Sequence, residues 1–142
     1  MANEEVVPVL AVSPFDDDHS SLEQILVRSR WIVNTCRTCK DAFAILKRRS
    51  IPVIICEESL PDGSWKDVLE HTQQDANPPQ LIVTARLPDE RLWCEVLNLG
   101  GYDLLSKPFR QSEVCRGVTL AFLYWQNHQK PAPERYQIIR AG

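Results

Sequence analysis

Two kinds of hydrophobic pattern alternate along the chain. Residues 6–12 (Val6-Val7-Pro8-Val9-Leu10-Ala11-Val12), 52–56 (Pro52-Val53-Ile54-Ile55-Cys56) and 80–84 (Gln80-Leu81-Ile82-Val83-Thr84) are short, mostly apolar and rich in β-branched side chains. A run without polar alternation is expected of a strand covered on both faces, as in a parallel sheet. Shorter runs at 31–34 (Trp31-Ile32-Val33-Asn34) and 102–105 (Tyr102-Asp103-Leu104-Leu105) complete a set of five strands. In chain order they are 6–12 (β1), 31–34 (β2), 52–56 (β3), 80–84 (β4) and 102–105 (β5).

Between the strands the apolar residues recur at helical spacing. Helix α1 is predicted to start at an N-cap on Ser20 or Ser21 and to carry Leu22, Ile25, Leu26 and Ser29 on one side. Helix α2 spans 40–49 with Ala42, Phe43, Ile45 and Leu46 inward. Helix α3 begins near Trp65 and must stop by Asn77-Pro78-Pro79, because tandem prolines lack donors and push the preceding residue out of helical angles. Helix α4 spans 88–99 and closes at Gly100-Gly101, and α5 spans 112–129 with Val114, Val118, Leu120, Ala121 and Tyr124 as its buried side. Five strands alternating with five helices predict a doubly wound α/β fold: a parallel sheet, helices on both faces, right-handed connections. Residues 1–129 form the expected domain. Residues 130–142, opening on Lys130-Pro131-Ala132-Pro133, read as a C-terminal tail.

Composition narrows the function. At 142 residues the chain is one domain's worth, and no apolar run approaches the roughly 20 residues of a membrane-spanning helix. The acidic start Met1-Ala2-Asn3-Glu4-Glu5 is unlike a secretory signal, so a cytoplasmic location is expected. A net charge of −3 with both signs interspersed gives no basic stripe for nucleic acid. Of the five cysteines, Cys56 and Cys94 lie in apolar stretches and are expected in the core. Cys36 and Cys39 have CxxC spacing, but the three histidines supply no second pair of metal ligands, so a surface loop is expected there rather than a zinc or redox centre.

In a doubly wound sheet, ligands collect outside the carboxyl ends of the strands. The polar residues arriving there are Asp16, Asp17 and Asp18 after β1, Glu57 and Glu58 after β3, Thr84 after β4, and Ser106 and Lys107 after β5. Carboxylate oxygens suit Mg²⁺, while a hydroxyl and an ammonium suit phosphoryl oxygens. Phosphoryl transfer asks mainly for such positioning and charge neutralisation. Equally, carboxylates at loop ends can be simply solvated, with Lys107 paired to one of them.

Three motifs in order resemble the receiver domains of two-component response regulators. They are Leu60-Pro61-Asp62-Gly63, Thr84-Ala85-Arg86 and Leu99-Gly100-Gly101-Tyr102-Asp103-Leu104-Leu105-Ser106-Lys107-Pro108-Phe109. The resemblance implies a flavodoxin-like (βα)5 sheet of strand order 2-1-3-4-5, no enzyme activity of its own, and a phosphoryl pocket containing Thr84 and Lys107. Its phosphoacceptor position, four residues before the loop proline, is Glu57 where receivers carry aspartate. Its Mg²⁺ ligands would be Asp16 and Asp17, which arrive about three positions late because Ser13-Pro14-Phe15 follows β1. Its switch pair is Thr84 with the β5 position Leu104, where receivers have an aromatic; Tyr102, two residues earlier, is the substitute that period-two alternation allows.

The expected function is therefore a stand-alone receiver-like signalling module, independent of phosphate, with Glu57 as a built-in charge. It would bind a histidine kinase or a downstream effector through α4, β5 and α5. Two alternatives stay open: weak Mg²⁺-dependent phosphorylation, and a flavodoxin-like nucleotide- or flavin-binding protein, although no glycine-rich phosphate loop follows β1. Trp93, Tyr124 and Trp125 would serve either packing or a homodimer through the α4–β5–α5 face, with Trp93 expected inside.

Overall fold

A computed structural model describes residues 6–129. It contains a parallel sheet of β1 (Val7–Val12), β2 (Trp31–Cys36), β3 (Val53–Glu57), β4 (Gln80–Ala85) and β5 (Asp103–Ser106). The spatial order is β2-β1-β3-β4-β5, the predicted arrangement. The helices are α1 (Asp16–Leu26), α2 (Cys39–Arg48), α3 (Trp65–Thr72), α4 (Glu90–Leu99) and α5 (Gln111–Asn127). Between β3 and α3, Ser59–Leu60 pairs antiparallel with Gly63–Ser64 in a small hairpin around Pro61 and Asp62. Among the described residues, no helix is long and apolar enough to cross a membrane.

Strand alternation divides the core in two. Leu10, Val12, Ile54, Cys56, Leu81 and Val83 face one way and pack with Ala42 of α2, Val68 of α3 and Val96 of α4. Val9, Ala11, Val53, Ile55 and Ile82 face the other way and pack with Leu22 of α1 and Val114, Val118 and Ala121 of α5. Both sets are almost fully buried, and at roughly 25 cal/mol per Å² of apolar area this burial is the main favourable term in folding.

The helix ends carry their own capping chemistry. Helix α3 starts on a capping box in which Ser64 accepts from the first turn and Asp67 returns a bond to the Ser64 N–H. Helix α4 starts on Asp89, whose side chain accepts from Leu92 N at 2.9 Å. It ends at Gly100, whose φ of 107° is left-handed and favours glycine. A side chain on Gly101 would meet Val96 Cγ1 at 2.6 Å, so this second glycine permits a close backbone approach. Helix α2 borrows a cap from the hairpin. Asp62 Oδ1 and Oδ2 accept from Cys39 N and Lys40 N at 2.7 and 3.1 Å, and these bonds hold its carboxyl below the ordinary range.

Several local expectations are corrected. Helix α1 begins at Asp16, with Phe15 in the N-cap position and no side-chain cap, rather than at Ser20 or Ser21. Its first turn is Asp16, Asp17 and Asp18, a placement that the helix dipole favours. Helix α3 ends at Thr72, ahead of the tandem prolines. Cys36 and Cys39 are buried rather than looped out, because Cys36 is the last residue of β2, paired with Val12, and Cys39 opens α2 over the same core. Cys94 is exposed. So are Trp93, Leu120 and Tyr124, at 41%, 47% and 43%. The residues of α5 that meet the sheet are Val114, Val118, Ala121 and Phe122, and 3.6-residue periodicity turns Leu120 and Tyr124 off that stripe. The tail at 130–142 lies outside the described residues.

Burial, with Asp41 close to one thiol and Asp62 to the other, pushes Cys36 up to about 12 and Cys39 up to about 11. Both are protonated at neutral pH, which suppresses the thiolate that disulfide exchange requires. Native-state alkylation followed by peptide mass mapping should therefore label Cys94 first. Cys36, Cys39 and Cys56 should react only after denaturation, and labelling of Cys36 or Cys39 at the rate of Cys94 would contradict their burial.

Candidate functional site

Strand register brings the site together. Glu57 is the last residue of β3 and pairs with Thr84 of β4, while Lys107 follows β5 and extends the ladder by donating its N–H to Ala85 O. Thr84 Oγ1 donates to Glu57 Oε1 at 2.9 Å. Lys107 Nζ reaches the same Oε1 at 2.9 Å and Asp18 Oδ2 at 3.0 Å. Ser13 Oγ donates to that Asp18 oxygen at 2.7 Å. The Lys107, Asp18 and Glu57 side chains are each 8% exposed, so the ion pairs work in a weakly screening environment. The Lys107–Pro108 peptide is cis.

The β1–α1 segment is tied down around this cluster. Phe15 N donates to Ser13 Oγ, His19 Nε2 lies 2.8 Å from Ser13 O, and Arg37 Nη1 donates to Pro14 O at 2.8 Å. Arg37 also pairs with Asp16. The Phe15 ring centroid lies 4.7 Å from Lys107 Nζ, within cation–π range.

Of the residues singled out from sequence, Glu57, Thr84 and Lys107 meet as one hydrogen-bonded group. Asp16 and Asp17 are exposed: the first is held by Arg37, and the second lines a cleft beside Asp18, Arg86 and Lys107. The carboxylate that reaches the lysine is Asp18. Its signal was the acidic run itself, since a helix starting at Asp16 places Asp18 third in the first turn, where it can reach back to the strand end. Ser13 was a second residue the motifs did not single out. Leu104 packs with the α4-side core, whereas Tyr102 packs on the opposite face, its ring 5.7 Å from Tyr124. Tyr102 precedes β5, so strand alternation does not bring it to the Leu104 side.

Glu58 adds a charge at the rim. Partial burial raises its carboxyl above the ordinary range, Glu57 and Asp89 add to the rise, and Lys107 opposes it. Among the described residues no three His, Cys, Asp or Glu side chains are grouped to hold a metal ion. What is present is an acid–base triad of Asp18, Glu57 and Lys107, whose carboxylate oxygens are of the chemical type that Mg²⁺ accepts.

Fold and site together define a doubly wound domain with acid, hydroxyl and lysine at the strand ends. The sequence model of the response regulator receiver domain matches residues 8–119, and the chain belongs to that family. Receiver domains are signal-transduction modules rather than enzymes. The probable transcriptional regulatory protein TcrX of Mycobacterium tuberculosis is 33% identical over 119 residues, which cover 80% of this chain and 48% of TcrX. The uncharacterized transcriptional regulatory protein YrkP of Bacillus subtilis is 25% identical over 94% of this chain and 57% of its own length. The chain thus spans about half of these relatives. Among solved structures, the signal receiver domain of a putative LuxO repressor protein from Vibrio parahaemolyticus superposes with a TM-score of 0.79 at 23% identity, covering 84% of this chain and 92% of that one.

Removing Lys107 leaves two carboxylates facing each other in a buried site. Lys107→Met should cost about 3–5 kcal/mol in urea unfolding, as breaking buried ion pairs does. Thr84→Val, which deletes one hydrogen bond to a carboxylate, should cost about 1.5–3 kcal/mol. A Lys107→Met loss below about 1 kcal/mol would place the pair in the class of solvent-screened surface bridges.

Proposed function

We propose that this receiver domain signals through protein–protein contact without requiring phosphate, with Glu57 as a permanent charge at the acceptor position. The observation that carries the reading is the pair of bonds on Glu57 Oε1. Thr84 and Lys107, the hydroxyl and ammonium suited to phosphoryl oxygens, are both engaged by the protein's own carboxylate. The extra methylene of glutamate carries negative charge beyond the reach of aspartate, and the switch threonine is already drawn in toward it.

The output face in this reading is formed by α4, β5 and α5. Trp93, Leu97, Leu120 and Tyr124 are exposed there, and the groove between the helices is lined by Asp89, Glu90, Asp103 and Glu113 together with Arg116. Exposed apolar side chains beside a groove of net acidic lining fit a protein partner, either a histidine kinase or a downstream effector, and a cytoplasmic location follows from such partners. The second reading, weak Mg²⁺-dependent phosphorylation, draws on the retained Thr84 and Lys107 and on the oxygen ligands of the triad.

Intact-mass spectrometry after incubation with Mg²⁺ and acetyl phosphate separates the two. The wild-type mass should not change. A gain of one phosphoryl group mapped to Glu57 or Glu58 would make the protein a working phosphoacceptor and end the phosphate-independent reading.

The same face is where two copies would meet, and the receiver domain of NtrC4 is described in its beryllofluoride-activated state as a dimer. Leu120→Lys should convert a wild-type dimer to monomer in light-scattering chromatography, with circular dichroism confirming the fold. A wild-type monomer across the micromolar range would assign the face to a different protein.

A further inference from the structure

The acid that grips Lys107 comes from a place the receiver pattern does not use. Val12, the last residue of β1, is paired with Cys56, so the next residues along the two strands are Ser13 and Glu57. Receivers place an acidic pair directly after this strand; here the two positions hold Ser13 and Pro14. Neither offers a carboxylate, and their oxygens are already engaged. Ser13 Oγ serves Asp18 and Phe15 N, Ser13 O faces His19 Nε2, and Pro14 O accepts from Arg37. The carboxylate is supplied instead by Asp18, from the first turn of α1, and its Oδ2 takes both the Ser13 hydroxyl and the Lys107 ammonium.

We infer that Asp18 is a positioning residue that clamps Lys107 onto Glu57, and that this clamp stands where receivers use a divalent ion. The inference rests on the phosphate-independent reading and assigns its cause to the β1–α1 segment as well as to Glu57. Mg²⁺ requires near-octahedral oxygen at about 2.0–2.1 Å and gives up its water reluctantly. To bind between Asp18 and Glu57 it would have to displace an ammonium bonded to both at 3.0 and 2.9 Å. The displaced ammonium would lose both carboxylates in a site where its side chain is only 8% exposed. Phe15, with its ring 4.7 Å from Nζ, stands over the same group. The residues present therefore do not fit the metal.

One consequence separates this inference from the reading it rests on: restoring aspartate at position 57 does not restore phosphorylation. In an acyl-phosphate reaction an aspartate oxygen would attack phosphorus, forming an O–P bond as the P–O bond to acetate breaks and acetate leaves with the electron pair. The charge that develops needs a cation besides Lys107, and with Ser13 and Pro14 at the end of β1 the clamp leaves that cation no free carboxylate. Carboxylates returned to the end of β1 would supply the missing ligands.

The test compares wild type, Glu57→Asp and the triple variant Ser13→Asp/Pro14→Asp/Glu57→Asp, each incubated with Mg²⁺ and acetyl phosphate and read by intact mass. In parallel, Mn²⁺ is titrated and paramagnetic broadening of the Ser13, Glu57 and Thr84 amides, or of the residues replacing them, is followed by NMR. The expected result is no phosphoryl gain and no local broadening at millimolar Mn²⁺ for wild type or Glu57→Asp, and both for the triple variant. Phosphorylation of Glu57→Asp alone would overturn the inference and leave the phosphate-independent reading intact. Phosphorylation of wild type would overturn that reading, while local Mn²⁺ broadening of wild type would overturn the inference. A folded triple variant that ignores Mn²⁺ would also overturn it. Positioning by Asp18 is read separately from the Lys107 ammonium resonance, which is visible when proton exchange is slow. It should be present in wild type, lost in Asp18→Asn and recovered in Asp18→Glu; persistence in a folded Asp18→Asn protein would deny Asp18 the role.

Discussion

One oxygen atom organises the functional end of the molecule. Glu57 Oε1 accepts from the Thr84 hydroxyl and the Lys107 ammonium at once, so a single carboxylate joins β3, β4 and the segment after β5. Asp18 brings in α1 through the same lysine. Four chain segments distant in sequence thus end in one charge network. Buried charge is costly unless paired and hydrogen-bonded, so removing any member imposes a penalty on those left behind. The network therefore fixes where the strand ends sit, and with them the loops that lead into α1 and α4.

That constraint relies on a core that is ordinary in its physics. The two apolar faces of the sheet are covered by α2, α3 and α4 on one side and by α1 and α5 on the other. Parallel pairing brings the carboxyl ends of the strands to the same edge, so Glu57 and Thr84 are neighbours because Cys56 and Val83 are. The hairpin after β3 adds a second link, since Asp62 both shapes the turn and caps α2 through Cys39 N and Lys40 N. A motif matched as a loop signature has a physical task here, which is to fasten a helix N-terminus beside the acceptor strand.

The strands were legible because continuous apolar runs leave little ambiguity, their spatial order came from the resemblance to receivers, and Glu57, Thr84 and Lys107 were legible because each stands next to such a run. Asp18 was not legible in that way. The acids after β1 form an uninterrupted triplet, and which one turns inward depends on the residue at which α1 starts. That start carries no side-chain cap, so a reading from capping preference moved it to Ser20 or Ser21. The exposed faces of α4 and α5 failed for a related reason. Trp93, Leu120 and Tyr124 are apolar enough to count as core by composition, and only the angle around the helix separates them from Val96, Val118 and Ala121. Cys36 and Cys39 were misplaced in a loop because β2 was ended at Asn34, whereas the strand runs on to Cys36 and both thiols join Val12, Ala42 and Cys56 in the core.

The geometry also explains why glutamate is accommodated at the acceptor position. An aspartate there would end one carbon farther from the Thr84 hydroxyl and the Lys107 ammonium. Glutamate spans that gap with a methylene. On the β1 side Ser13 is bonded to Asp18, which shares Lys107 with Glu57. The longer acid and the acid from α1 are therefore complementary: one extends charge toward Thr84, the other holds the lysine that balances it. Altering either alone leaves the remaining partners over- or under-charged in a site with little water to compensate.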